Sequence, residues 1–145
     1  CMDEKSKQLL RDSRPGLPTA PGKVAVRDYE YVREGTANIF VAVEPQAGVR
    51  ITAVTQHRTA RDYALFLEKI IVAYAGSETI HLVQDNLNTH GIHSLVETFG
   101  ARKARRLWKK VSVHPTPKHA SWLNMAEIEI GAIGKQCLDR RIGSI

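Results

Sequence analysis

Residues 80–90 read Ile-His-Leu-Val-Gln-Asp-Asn-Leu-Asn-Thr-His, a short apolar run that leads directly into a carboxylate, Asp85. Five residues of mainly β-forming type after the turn-forming Gly76 predict a buried strand. A carboxylate at the end of a strand occupies a position where α/β proteins place functional groups. The stretch therefore predicts an α/β fold with a site beside Asp85.

The segments before this strand carry a helix and a hairpin. Thr59 is a suitable N-cap, and apolar residues follow it at helical spacing up to Gly76, which predicts a helix. Residues 38–44 and 49–55 are β-type runs separated by a turn that contains Pro45 and Gly48, so we expect them to pair as a hairpin. Further upstream, residues 24–26 and 29–31 suggest short strand pieces, and residues 13–23 form a loop rich in Pro and Gly.

The segments after Asp85 alternate in the same way. Residues 92–99 and 102–110 have helical character, residues 111–113 a strand pattern, and residues 121–137 the spacing of a last helix. We expect Ser121 to cap that helix and Trp122 to anchor it in the core. The opening residues 1–4 resemble a strand already in progress. Alternating β and α units after a hairpin predict a mixed α/β sheet flanked by helices.

Composition limits the function classes. With 145 residues, 43% of them hydrophobic and 25% charged, the chain suits one globular domain. Its apolar runs are too short to cross a bilayer, and no segment resembles a secretory signal, so we expect a cytoplasmic protein without a membrane partner. Two cysteines at opposite ends predict neither a disulfide framework nor a zinc site. A net charge of +6 favours a polyanionic partner.

The positive charge is concentrated in one region. No acidic residue lies between Glu97 and Glu127, whereas basic side chains are frequent there. The candidates for contact with DNA phosphates are Arg102, Lys103, Arg105, Arg106, Lys109 and Lys110, together with Lys118 and His119 in the loop that follows. A solvated helix face is the alternative interpretation of the basic run.

Three carboxylates suggest metal-assisted phosphodiester chemistry. Asp3 follows a strand-like start, Asp85 ends a strand, and Glu127 lies early in the last predicted helix. Two magnesium ions can activate a nucleophile and stabilise a leaving oxygen at a phosphate, and magnesium prefers oxygen ligands. The spacing alone is weak support, because the chain has 15 acidic residues and most acids are surface groups.

Local motifs sharpen this interpretation. Gln-Asp-Asn-Leu-Asn-Thr-His at 84–90, Pro-Thr-Pro-Lys-His-Ala-Ser-Trp-Leu-Asn at 115–124 and Ala-Glu at 126–127 resemble signatures of DDE transposases of the mariner-like superfamily. The motifs resemble in particular those of bacterial insertion sequences of the six-thirty type. Asp-Glu-Lys-Ser at 3–6 and Arg-Pro-Gly-Leu-Pro at 14–18 resemble the start of the same domain, so the likeness covers essentially the whole chain.

This resemblance implies an RNase H-like fold, with a mixed five-stranded sheet flanked by helices. It implies that Asp3, Asp85 and Glu127 hold two Mg²⁺ or Mn²⁺ ions, and that the enzyme hydrolyses double-stranded DNA at transposon ends and joins the 3′ hydroxyls to target DNA. It further implies a homodimer in the synaptic complex, an association with the bacterial nucleoid, and a helix-turn-helix region upstream of residues 1–145. The chain would then be a catalytic-domain fragment.

Several assignments stay open. The Leu-Asn-x-x-Glu pattern, with Asn124 as a supporting residue, selects Glu127, while Glu129 is the competing ligand. Asn86 and His90 either support the site, by orienting ligands or contacting the scissile phosphate, or are an ordinary turn asparagine and a histidine near a helix start. Another RNase H-like nuclease, or an inactive transposon remnant that only binds DNA, are the rival functions.

Overall fold

The computed structural model describes residues 1–117 and 120–144, with the backbone alone at Ser121. In this part of the chain, strands and helices alternate after an initial antiparallel sheet. The strands are β1 (Met2–Asp12), β2 (Tyr31–Glu44), β3 (Val49–Thr55), β4 (Ile80–Gln84) and β5 (Val111–Pro115). The helices are α1 (Ala60–Ala73), α2 (Ile92–Phe99), α3 (Ala101–Trp108) and α4 (Met125–Ile133), with a 3₁₀ turn at Ser121–Leu123 and a π-helical turn at Gly134–Leu138.

The strands form two hydrogen-bonded sheets. β1, β2 and β3 pair antiparallel in that order, and β4 pairs with β5 in parallel. The mixed α/β class is as predicted, but the single five-stranded sheet is not what the described residues show. β1 and β4 are in contact without a ladder between them. β1 begins at Met2, and Asp3 already lies within electrostatic reach of Asp85 beyond the end of β4, so little of β1 runs beside β4.

The hairpin of β2 and β3 is confirmed, although β2 starts at Tyr31 and is longer than predicted. The second half of β2 is buried because both faces of the strand are covered by other elements. Phe40 packs in the main core with α1, whereas Val41 packs against Ile130 of α4. The predicted strand piece at 24–26 is wrong, and of the piece at 29–31 only Tyr31 is in a strand, as the first residue of β2. The loop before it holds only isolated bridges, such as Leu17 with Val26, because its prolines and glycines interrupt regular pairing.

Helix α1 is confirmed with the predicted cap. Thr59 and Asp62 form a capping box, in which each side chain accepts a hydrogen bond from the backbone N–H of the other residue. The apolar stripe of the helix is buried and forms much of the main core: Tyr63, Ala64, Phe66, Leu67, Ile70 and Ile71. No helix in residues 1–117 or 120–144 is long and apolar enough to span a bilayer.

The start of α4 differs from the prediction. Asn124, not Ser121, is the N-cap, and Ser121 lies in the preceding 3₁₀ turn. Trp122 is 71% exposed and therefore does not anchor the helix in the core. The buried side chain at this end is Asn124, whose amide bonds to β1 and leaves the preceding turn, with Trp122, on the outside.

Candidate active site

The structure brings the three predicted carboxylates into one region. Asp3 lies on β1, Asp85 directly follows β4, and Glu127 lies in the first turn of α4. The pKa of Asp3 is raised to about 6, mainly because the carboxyl group is buried. A hydrogen bond from the N–H of Glu4 lowers this pKa, whereas the negative charges of Glu4, Asp85 and Glu127 raise it. Asp3 therefore lies within electrostatic reach of the other carboxylates, at the ends of three different elements.

Glu127 and Glu129 have different surroundings. Glu127 contributes to the electrostatic field at Asp3. Glu129 instead pairs with Arg50 of β3, and the hydrogen bond from Arg50 lowers the pKa of Glu129. This agrees with the helical geometry, in which residues two apart do not share a face. The arrangement favours Glu127 as the third carboxylate of the site.

Asn124 connects the start of α4 to the strand that carries Asp3. Its side chain is 1% exposed, its Nδ2 donates to the carbonyl oxygen of Met2 at 2.8 Å, and its Oδ1 accepts from the N–H of Ala126 at 3.2 Å. One amide thus caps the helix and bonds to the residue before Asp3. Asn124 therefore joins the first turn of α4, which carries Glu127, to the start of β1, which carries Asp3.

Replacing Asn124 with alanine is expected to destabilise the fold by about 2 kcal/mol, since it removes an N-cap and leaves the buried carbonyl of Met2 without its donor. Chemical denaturation measures the change. Asn124→Asp is the matched variant, because it keeps the capping oxygen and loses only the donor to Met2. A stability of Asn124→Ala equal to that of the wild type would contradict the bridging role.

His90 is buried between two carboxylates. Its Nδ1 lies 2.6 Å from Oδ1 of Asp85, and its Nε2 lies 3.3 Å from Oε2 of Glu4. The side chains of His90 and Glu4 are each 1% exposed, and Nη1 of Arg58 approaches Oε1 of Glu4 at 3.7 Å. Burial by itself would lower the pKa of His90, but the contacts with Asp85 and Glu4 outweigh it and raise this pKa to about 9. His90 therefore carries a positive charge at neutral pH.

Two neutral side chains frame the histidine. The ring of Tyr63 stacks on that of His90, with 4.6 Å between centroids, and its hydroxyl donates to Oε1 of Gln84 at 3.1 Å. Gln84 in turn donates from Nε2 to the carbonyl oxygen of His90 at 3.1 Å. Burial raises the pKa of Tyr63 to about 12, so its hydroxyl stays protonated and available as a donor. The frame fixes both the ring and the backbone of His90.

The donor chemistry of this region fits a hard divalent cation. Asp3, Asp85 and Glu127 offer only oxygen ligands, which Mg²⁺ and Mn²⁺ accept. Both carboxylate oxygens of Glu4 and Oδ1 of Asp85 are buried and contact His90 and Arg58 at ion-pair distance, although no donor in the described residues meets strict hydrogen-bond geometry with them. In residues 1–117 and 120–144 no three potential ligands lie close enough to form a ready-made site.

The C-terminal end of α3 leads into the end of β5 that lies away from the carboxylates. β5 begins at Val111 beside Ile80, whereas the site lies at the other end of this strand pair. A five-residue strand spans about 13 Å, so the start of β5 is about that far from Asp85 along the strand pair. Arg102, Arg105, Arg106 and Lys109 are exposed.

The other two basic residues have structural partners. Lys103 pairs with Glu68 at 2.6 Å and lies over the ring of Phe99. Lys110 donates to the carbonyl oxygens of Ala75 and Ser77, beyond the end of α1. Four of the six basic side chains on this segment are therefore exposed without such contacts in the described residues.

Of the three remaining predicted residues, the structure describes only Asn86. Asn86 follows Asp85 on the surface and is exposed. Lys118 and His119 lie outside the described residues, so the predicted DNA contacts of this loop have no structural counterpart here.

Sequence reasoning assigned no role to Glu4, Tyr63 or Gln84. Two signals were available in the sequence. Glu4 is a second acid beside Asp3, and alternation along a strand sends it to the opposite face; Gln84 is a polar residue at the end of a mainly apolar strand. Neither signal identifies the partner in the fold.

Comparison with known proteins adds the family. The family described as DDE superfamily endonuclease matches residues 1–145. Comparison with curated proteins gave no match, nor did comparison with solved structures. The family match covers the whole sequence, including all three carboxylates and the segments that position them. The chain therefore belongs to the DDE superfamily endonuclease family.

Proposed function

We propose that this chain is the catalytic domain of a DNA transposase, spanning residues 1–145 and belonging to the mariner-like, six-thirty-type branch. Its substrate is double-stranded DNA at the ends of a mobile element and at the target, in the bacterial cytoplasm. Its reaction is hydrolysis of a phosphodiester at each element end, followed by attack of the freed 3′ hydroxyl on target DNA. The synaptic complex is a homodimer. A nuclease of this family without strand transfer is the second candidate.

The observation that carries the proposal is the convergence of Asp3, Asp85 and Glu127 from β1, β4 and α4, within one electrostatic neighbourhood. These carboxylates would hold two Mg²⁺ or Mn²⁺ ions. Such ions activate an attacking water or hydroxyl and stabilise the leaving oxygen when bound. The chain itself supplies the oxygen ligands, and Asn124 keeps α4 against β1 so that Glu127 stays near Asp3.

The test is a DNA cleavage and joining assay with the chain alone. Supercoiled plasmid and duplexes carrying element ends are incubated with Mg²⁺, with Mn²⁺, or with a chelator. We expect nicking that requires the metal and, with pre-nicked element ends, joined products. Metal-dependent nicking without joining would favour the second candidate. Binding without any cleavage under all conditions would favour the inactive remnant.

The exposed basic face of α3 predicts a separate effect on DNA binding. Changing both Arg102 and Arg106 to Glu is expected to weaken duplex binding. It should also make the fall of the logarithm of the association constant with the logarithm of the salt concentration less steep by about 1.8, since each lost phosphate contact contributes about 0.9. Because neither arginine is one of the carboxylates proposed to hold the metal ions, the maximal cleavage rate at saturating DNA should change little. Fluorescence anisotropy over a salt series measures the binding.

The matched control changes Lys23 and Arg33 to Glu, which alters the net charge equally at exposed positions on a different part of the chain. Equal losses of affinity in the two double variants would show that total charge, and not the α3 face, determines binding.

A further inference from the structure

Glu4 and His90 form a buried pair behind Asp85. The imidazole ring contacts Asp85 through Nδ1 at 2.6 Å and Glu4 through Nε2 at 3.3 Å, so each ring nitrogen faces a different carboxylate. Strand alternation sends Glu4 to the face of β1 that packs on α1, whereas Asp3 points to the opposite face. The pair therefore approaches Asp85 from the side opposite to Asp3.

This contact involves one particular oxygen of Asp85. Oδ1 faces His90 and is buried, while the side chain as a whole is 31% exposed. The other oxygen, Oδ2, is consequently the one available to a ligand. A carboxylate held through one oxygen keeps a single orientation for the other.

The histidine itself has little freedom to turn. Tyr63 stacks on one face of the ring at 4.6 Å, and Gln84 links the Tyr63 hydroxyl to the His90 carbonyl oxygen. Arg58 lies 3.7 Å from the far oxygen of Glu4. A row of contacts thus runs from Arg58 through Glu4 and His90 to Asp85, and the ring of Tyr63 packs against the histidine in this row.

Stability alone does not account for this arrangement. Burying an ion pair carries a desolvation cost that its attraction often fails to exceed, and apolar residues of similar size commonly stabilise a core as well. Outer groups that hydrogen-bond a metal ligand, by contrast, orient it and change metal affinity by about 10–100-fold.

We propose that Glu4 and His90 are positioning residues that act through Asp85: Glu4 fixes the His90 ring, and His90 holds Oδ1 of Asp85 so that Oδ2 stays available to hold a divalent cation. This inference rests on the proposed metal-dependent function. It predicts that the two residues act as a unit in metal binding and that the contact at Nδ1 matters more than the contact at Nε2.

The experiment measures Mn²⁺ binding to the full chain without DNA, by calorimetry and by the electron paramagnetic resonance signal of free Mn²⁺. An asparagine amide nitrogen occupies a place similar to Nδ1 of histidine, and a glutamine amide nitrogen a place similar to Nε2. His90→Gln is therefore expected to weaken Mn²⁺ binding about tenfold or more. His90→Asn should keep most of the affinity.

Glu4→Gln tests the coupling. It should weaken Mn²⁺ binding less than His90→Gln does, because the contact at Nδ1 is kept, and combining it with His90→Gln should add little, since residues in one network are not additive. His81→Gln, an exposed histidine on β4, is the matched control and should bind Mn²⁺ as the wild type does. Circular dichroism and thermal unfolding identify any variant that does not fold. If His90→Gln does not fold, the Mn²⁺ affinities of His90→Asn and Glu4→Gln, each compared with that of the wild type, provide the test.

Asp85→Asn separates the two proposals. If Asp85→Asn leaves Mn²⁺ affinity unchanged, the metal site itself is wrong. If Asp85→Asn abolishes binding while the folded His90 and Glu4 variants bind as the wild type does, only the positioning role is overturned. Equal affinity of His90→Asn and His90→Gln would likewise contradict the predicted role of Nδ1.

Discussion

Asp85→Asn is expected to lower metal-dependent DNA cleavage by about 1,000-fold or more, which corresponds to about 4 kcal/mol of transition-state stabilisation. The substitution keeps the size of the side chain but removes the negative charge that a divalent cation requires. Duplex binding should be retained, because exposed basic side chains supply the sequence-independent affinity. Single-turnover cleavage of an element-end duplex, at saturating protein, measures the loss.

Glu129→Gln is the matched control, since it removes a carboxylate from the same helix as Glu127. Glu129 pairs with Arg50, away from Asp3, so cleavage should stay within about twofold of the wild type. Loss of activity in Glu129→Gln with normal activity in Glu127→Gln would exchange the roles of the two residues. Wild-type activity in Asp85→Asn would remove the metal site from the proposal.

Asp3→Asn is expected to change stability and activity in opposite directions. The folded-state pKa of Asp3, about 6, lies above its ordinary value of 3.8, so the folded protein binds the proton more tightly than the unfolded chain does. The ionised carboxylate therefore destabilises the metal-free fold. This penalty is absent below about pH 4, grows as the pH rises through the folded pKa, and is complete above it.

At about pH 8, with a chelator present, Asp3→Asn should raise the free energy of unfolding by about 1 kcal/mol, after allowance for solvent screening at this half-buried position. Near pH 4 the two proteins should be equally stable. Denaturation at both pH values measures the difference. Cleavage by Asp3→Asn should fall as it does for Asp85→Asn, because the same charge that destabilises the fold is needed for the cation.

Added Mg²⁺ provides the control. It should stabilise the wild type, because a ligand that binds only the folded state shifts unfolding, and it should stabilise Asp3→Asn much less. A variant that is less stable than the wild type at every pH would show that the ionised Asp3 carboxylate does not destabilise the metal-free fold.

Local sequence patterns predicted a large part of the fold. The capping box and the apolar stripe of α1, the hairpin of β2 and β3, and the strand that ends before Asp85 are each encoded within one continuous stretch of the sequence. The spacing of apolar residues indicates which side of a helix or strand is buried, and this spacing is a local property of the sequence. The prediction for the α4 cap was wrong because Ser121 and Asn124 are both good N-caps, and only contact with β1 distinguishes them.

The sequence by itself determined most of the elements, the two motifs around Asp85 and Glu127, and membership of the DDE superfamily endonuclease family. The tertiary structure decided which groups meet: Glu4 with His90 behind Asp85, Asn124 with the Met2 carbonyl, and the C-terminal end of α3 with the end of the strand pair away from the site. Asn124 and Met2 are 122 positions apart. Periodicity shows which face a residue occupies, but not which distant residue packs against that face; the packing of β1 against α1 and α4 determines those partners.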